Sequence, residues 1–176
     1  MIDELRFVAP DLRAIDEAPA EVVACSAWED ERPLRGVAGL LDWRMAGRLS
    51  MLAKSGFLTG KAGEVVLVPG RPKLPFEKVL VFGLGPRAAF DDEVVRSTLV
   101  RLKATLDGLN VKRALVELPG RASDELPIAR ATELVAEVAP EVLEEQSWTL
   151  VDTDEAEASM MERLSRRHDA RPRPAT

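Results

Sequence analysis

Short apolar runs and helix-period stripes take turns along this chain, and that alternation limits what it can fold into more than any other feature. Glu21-Val22-Val23-Ala24-Cys25-Ser26 is apolar at successive positions, as a strand buried on both faces must be. Leu34, Val37, Leu41, Met45, Leu49 and Leu52 then recur three or four apart, the spacing of one helix face. Gly36, Gly39 and Gly47 interrupt that stripe and predict a bend or break near Leu41-Asp42, with Gly56 closing the segment. Strands follow at Glu64-Val65-Val66-Leu67-Val68 and Lys78-Val79-Leu80-Val81-Phe82. The prolines of Pro69-Gly70-Arg71-Pro72-Lys73-Leu74-Pro75 make the segment between them a loop. Asp91-Asp92-Glu93 place acids at a helix start, and Val95, Leu99, Leu102, Leu106 and Leu109 carry its buried stripe. A further strand is expected within 111–118, then a helix capped by Ser123 and running to Pro140, a last strand at Trp148-Thr149-Leu150-Val151, and a terminal helix from Glu155 to Leu164. Leu5-Arg6-Phe7-Val8, stopped by Pro10, reads as a short edge strand. Strand–helix alternation of this kind predicts an α/β fold: a mixed, mostly parallel sheet with helices on both faces.

Size and charge narrow the function classes. The 176 residues, 46% hydrophobic, suffice for one core. The expected division is a single domain over 1–162 and a tail over 163–176, where Arg163, Arg166, Arg167, Arg171 and Arg173 face only Asp169 and two prolines discourage order. A net charge of −6 argues against broad nucleic-acid or anionic-membrane binding, which needs clustered cations. No run reaches the roughly 18 apolar residues of a membrane span, and the start lacks a basic-then-apolar leader, so a cytoplasmic location is expected. Cys25 is the one cysteine and lies in an apolar run, which makes it a buried small hydrophobe and excludes a cysteine-based metal site.

Candidate chemistry is sparse. Gly60-Lys61 has Ser55 and Ala62 where a phosphate loop needs glycine and a hydroxyl. Gly83-Leu84-Gly85-Pro86-Arg87-Ala88 follows a strong strand and formally fits a dinucleotide-binding turn, but Pro86 removes a donor and acids occupy the helix start. The turn is still the best placed segment for a small ligand, because open α/β sheets bind at strand carboxyl ends. Gly83, Gly85 and Arg87 are therefore the candidate ligand-binding residues. Asp152, Asp154, Glu155 and Glu157 read as a solvated charge run. His168 is the only histidine, it lies in the expected tail, and no nucleophile elbow accompanies it. Trp28, Trp43 and Trp148 are too dispersed for a base-stacking platform and read as core or interface anchors.

Three segments carry a resemblance. Leu40-Leu41-Asp42-Trp43-Arg44-Met45-Ala46-Gly47-Arg48-Leu49, Gly56-Phe57-Leu58-Thr59-Gly60-Lys61-Ala62-Gly63-Glu64 and Lys78-Val79-Leu80-Val81-Phe82-Gly83-Leu84-Gly85 occur in the order found in the leucyl (cytosol) aminopeptidase family, whose N-terminal domain this chain resembles. The resemblance implies a three-layer α/β/α, macro-domain-like fold. It also implies that catalysis, which this family performs with two metal ions in a separate C-terminal domain, has no counterpart among these residues: no catalytic or metal-binding position can be transferred, and no cofactor is expected. A true ADP-ribose-binding macro domain fits less well, since Asn110 is the only asparagine. The expectation is a non-catalytic homologue acting by protein–protein contact, with a full-length aminopeptidase, another protein or a second copy as partner. The alternative is a module binding a nucleotide-like or anionic small ligand at the strand ends.

Overall fold

The computed structural model describes residues 5–145 and 147–170. Six strands form one sheet in the order β1-β6-β5-β2-β4-β3: β1 (Arg6–Val8), β2 (Val22–Ala27), β3 (Val65–Pro69), β4 (Lys78–Gly83), β5 (Ala114–Val116) and β6 (Trp148–Val151). Every pairing is parallel except that of β3 with β4. The sheet is thus mixed and mostly parallel, and both of its faces are covered. Val22 and Ala24 point to a core shared with α4 (Asp92–Gly108), α5 (Ile128–Val138), α6 (Pro140–Glu145) and α7 (Asp154–Asp169). Val23 and Cys25, one step out of phase, point to a core with α1 (Leu12–Glu17), α2 (Gly36–Arg44) and α3 (Arg48–Lys54). Continuous apolarity in β2 is what two covered faces require. Its position between β5 and β4 makes it a central strand, and β1 lies at one edge.

The helical stripe from Leu34 does break, but at Met45–Gly47 instead of Leu41-Asp42. Ala46 and Gly47 adopt positive φ there (57° and 80°), and Asp42 stays helical because it has a task in the next element. Its carboxylate accepts the Ser50 amide at 3.0 Å and the Ser50 hydroxyl, which caps α3 where the N-cap glycine offers no side chain. Ser123 does not cap α5. That helix begins after Pro127, because the chain from Gly120 to Leu126 closes on itself: Leu126 N donates to Gly120 O at 3.2 Å, and the Arg121 guanidinium to Leu126 O at 2.7 Å.

The expected tail also needs correction. Helix α7 runs through residue 162 to Asp169, because Thr153 caps it, acids open it, Arg166, Arg167 and His168 close it, and Met160 and Leu164 are buried. The rest of the expected tail, residues 171–176, lies outside the described residues. Helices α1 and α6, six residues each, are too short to show a period in the sequence.

Candidate functional site

The carboxyl ends of β2, β4 and β5 open into a cleft of about 200 Å3 lined by Trp28, Glu31, Arg35, Arg87, Glu117 and Ser123, among others. The glycine turn after β4 forms one wall, but its glycines serve packing. A side chain at Gly83 would place its Cβ 2.0 Å from the Lys61 carbonyl oxygen, an impossible approach, so only glycine lets the 60–63 turn cross the end of β4. Gly85 donates its amide to Gly60 O at 2.8 Å and accepts from Glu29 N at 3.0 Å. The Glu64 carboxylate knots the same turn by accepting from the Thr59 amide, the Thr59 hydroxyl and the Gly60 amide at 2.7–3.1 Å. The Gly-Lys-x-Gly-Glu and Gly-Leu-Gly segments are therefore two halves of one clamp.

Arg87 lies at the cleft mouth in a short 3-10 turn (Arg87–Ala89). Its guanidinium pairs with Glu31 and with Glu125 (3.0 Å) and stands 5.2 Å from the centre of the Trp28 ring, which meets Phe90 edge-on at 4.8 Å. Two carboxylates and an aromatic face hold the one cation proposed for an anionic group.

The residue that dominates the cleft is one the sequence reading passed over. Glu117, just beyond β5, is 4% exposed, and one carboxylate oxygen accepts the Val37 amide at 2.8 Å at the start of α2. Burial pushes its pKa from 4.5 up to about 7; the Val37 and Ser26 amides oppose that rise, while the negative charges of Asp152 and Glu31 add to it. Gly36 exists for this contact, since a Cβ there would stand 2.8 Å from the carboxylate and 2.5 Å from the Ala122 methyl, at φ +61°. The amide at the amino end of α2, a natural cradle for an anion, is thus occupied by the chain's own acid. Glu117 had a visible signal, a single charge inside Ala114-Leu115-Val116-Glu117-Leu118.

Asp152 departs from its expected place on a solvated face. It is 8% exposed just after β6, and both of its oxygens engage Arg121, at 2.7 and 3.0 Å. Nothing near it in sequence announces that pair. Trp28 and Trp148 are buried, Trp43 is 72% exposed, and Cys25 is buried with its Sγ 3.6 Å from the Leu80 carbonyl oxygen. Its thiol pKa is raised, chiefly by burial. His168 is exposed on α7. Among the described residues no group of histidine, cysteine and acids is placed to hold a metal ion, and no helix is long and apolar enough to cross a membrane.

Residues 22–146, spanning β2 to the end of α6, match the model of the cytosol aminopeptidase family, N-terminal domain. The chain belongs to the cytosol aminopeptidase family. A family relative, the probable cytosol aminopeptidase of Geobacter sp. (strain M21), is 36% identical over 122 residues, 67% of this chain and 22% of that protein. The probable cytosol aminopeptidase of Idiomarina loihiensis is 37% identical over 78 residues, 44% of this chain and 16% of that one. The chain thus spans about a fifth of the length of these family members, and the match is to their N-terminal domain. Among solved structures, a tomato leucine aminopeptidase mutant superposes with a TM-score of 0.59 at 17% identity, covering 90% of this chain and 35% of that one. A Trypanosoma brucei macrodomain in complex with ADP-ribose gives 0.69 at 18% identity, covering 90% and 67%. The fold of this family domain is therefore macro-domain-like. Both halves of the glycine clamp lie within the family match.

Proposed function

We propose that this polypeptide is a non-catalytic interaction module built on the cytosol aminopeptidase N-terminal fold, which acts by holding another protein. One observation carries this reading: Trp43, Met51 and Phe57, on and just after α2 and α3, are 72%, 62% and 63% exposed. Trp43 stands out because the other two tryptophans are buried, and solvent-facing tryptophan is the side chain most enriched at binding hot spots. A full-length aminopeptidase of the same host, a second copy of the chain or another protein could each supply the contact.

Sedimentation velocity of the chain, alone and mixed with the full-length aminopeptidase, tests the reading. A faster-sedimenting species that Trp43→Ser abolishes is the expected result, and a bare monomer in every mixture would overturn it. Hydrolysis of leucine p-nitroanilide with added manganese or zinc checks the other half of the claim. No turnover is expected, and activity that copurifies with the chain and survives exhaustive purification counts against a non-catalytic role.

The cleft favours a second reading by its location at the strand ends. An anionic ligand there would have to displace Glu31 and Glu125 from Arg87, and the negative charge of those two acids opposes that exchange. Thermal shift with ADP-ribose and nucleotides separates the readings. A ligand at about 100 times its Kd adds about 2.7 kcal/mol, and no such shift is expected.

A further inference from the structure

A groove of about 320 Å3 lies between α3 and the loop that follows β3, floored by Met51, Pro69 and Pro72 and flanked by Arg48, Arg71 and Lys73. All three cations are exposed, and among the described residues none has an ion-pair partner. Elsewhere on this acidic chain Arg87, Arg96, Lys103, Arg121 and Arg130 each engage two carboxylates. Three neighbouring positive charges left uncompensated on a chain of net charge −6 make a local field that attracts an anionic partner. The groove also continues an open sheet edge. Among the described residues β3 pairs only with β4; its side chains alternate between buried and exposed, Leu67 is 45% exposed, and Pro69 belongs both to the strand and to the groove lining.

We propose that this groove and the β3 edge dock an extended acidic segment of a partner polypeptide, whose backbone pairs with β3 while its carboxylates meet Arg48, Arg71 and Lys73. The inference rests on the interaction-module reading and gives it a place and a chemistry. An edge strand supplies main-chain hydrogen bonds to an added strand, and the groove beside it supplies selectivity. The floor favours a polypeptide over a nucleic acid. Methionine and proline accommodate aliphatic side chains, and the groove lining has no aromatic face on which a base could stack.

The test uses the 176-residue chain and a fluorescein-labelled peptide of alternating glutamate and valine, followed by anisotropy. Saturable binding that weakens with salt is expected, with no binding of the matching lysine–valine peptide. Arg71→Glu combined with Lys73→Glu should weaken binding about ten-fold or more, and Leu67→Glu on the strand edge should weaken it as well, because each places a like charge beside the acidic peptide. These positions are exposed, so the variants should keep the wild-type circular dichroism and Tm; Arg71→Gln serves as a milder substitute if they do not. Unchanged affinity in folded variants overturns the proposal, as does binding of oligouridylate as tight as that of the acidic peptide. Loss of self-association in place of loss of peptide binding overturns it too, by making a second copy the occupant. If the peptide fails to bind while Trp43-dependent association persists, only the groove is wrong; if both fail, the interaction-module reading falls with it.

Discussion

Glu117 is the residue at which one proton matters most. The folded chain keeps its carboxyl protonated up to about pH 7, whereas the unfolded chain releases that proton near 4.5. Between those values the native state binds more protons than the unfolded state, so stability falls as pH rises. The contribution is complete below about 4.5 and lost once pH has passed 7. Glu117→Gln keeps an acceptor for the Val37 amide and removes the titration. Urea midpoints at about pH 5 and about pH 8 should show the wild type losing on the order of 3 kcal/mol relative to this variant; parallel pH profiles would refute the assignment. Arg121 and Asp152 make the opposite kind of claim, a matched buried pair. Arg121→Ala leaves the buried carboxylate with only the Thr153 amide and should cost about 2–3 kcal/mol in equilibrium unfolding. Glu117 was legible as a lone acid among apolar neighbours. Asp152 was not, because its partner is 31 residues away and its local context is a run of acids.

At the scale of elements, caps and close approaches decide where the periodic segments stop. The break between α2 and α3 sits where Asp42 can reach Ser50, so Asp42→Ala should lower stability by about 1 kcal/mol in thermal or urea unfolding. A loss near zero would leave Gly47 alone to account for the break. Gly83→Ala belongs here too, since its methyl would collide with the Lys61 carbonyl and force the 60–63 turn off β4. A fall in Tm, with faster proteolysis in the 59–64 segment, is the expected outcome. Helix α7 carries the boundary correction. Leu164 is 5% exposed within it, so a chain ending at residue 162 should be less stable than one ending at 169, and Leu164→Ala in the whole chain should cost about 2–5 kcal/mol. Equal midpoints for the two truncations would restore the earlier boundary.

For the whole molecule, the sheet sorts function by edge and end. Its central strands deliver their carboxyl ends to a cleft in which Arg87 and Glu117 are already engaged by the chain's own groups, while among the described residues nothing covers the β3 edge or the α2–α3 face. Trp43→Ser should leave the unfolding free energy within about 0.5 kcal/mol of wild type, with little change in Tm, as expected for an exposed position, while removing association. A large drop in Tm would mean that Trp43 serves the fold.

Local pattern by itself determined the α/β class, the strands of the sheet core, the long helix after Asp91 and the clamp segments shared with the family. Each of these depends on the spacing of apolar residues and glycines over a few turns of chain, which sequence records directly. Tertiary structure alone decided that the cleft carries buried Glu117, that Arg87 is already paired, and that Trp43, Met51 and the Arg48-Arg71-Lys73 groove face outward. Those facts depend on which distant side chains meet once helices cover both faces of the sheet. Residues far apart along the chain then set one another's burial, and with it their charge, through desolvation and contact that no local spacing encodes.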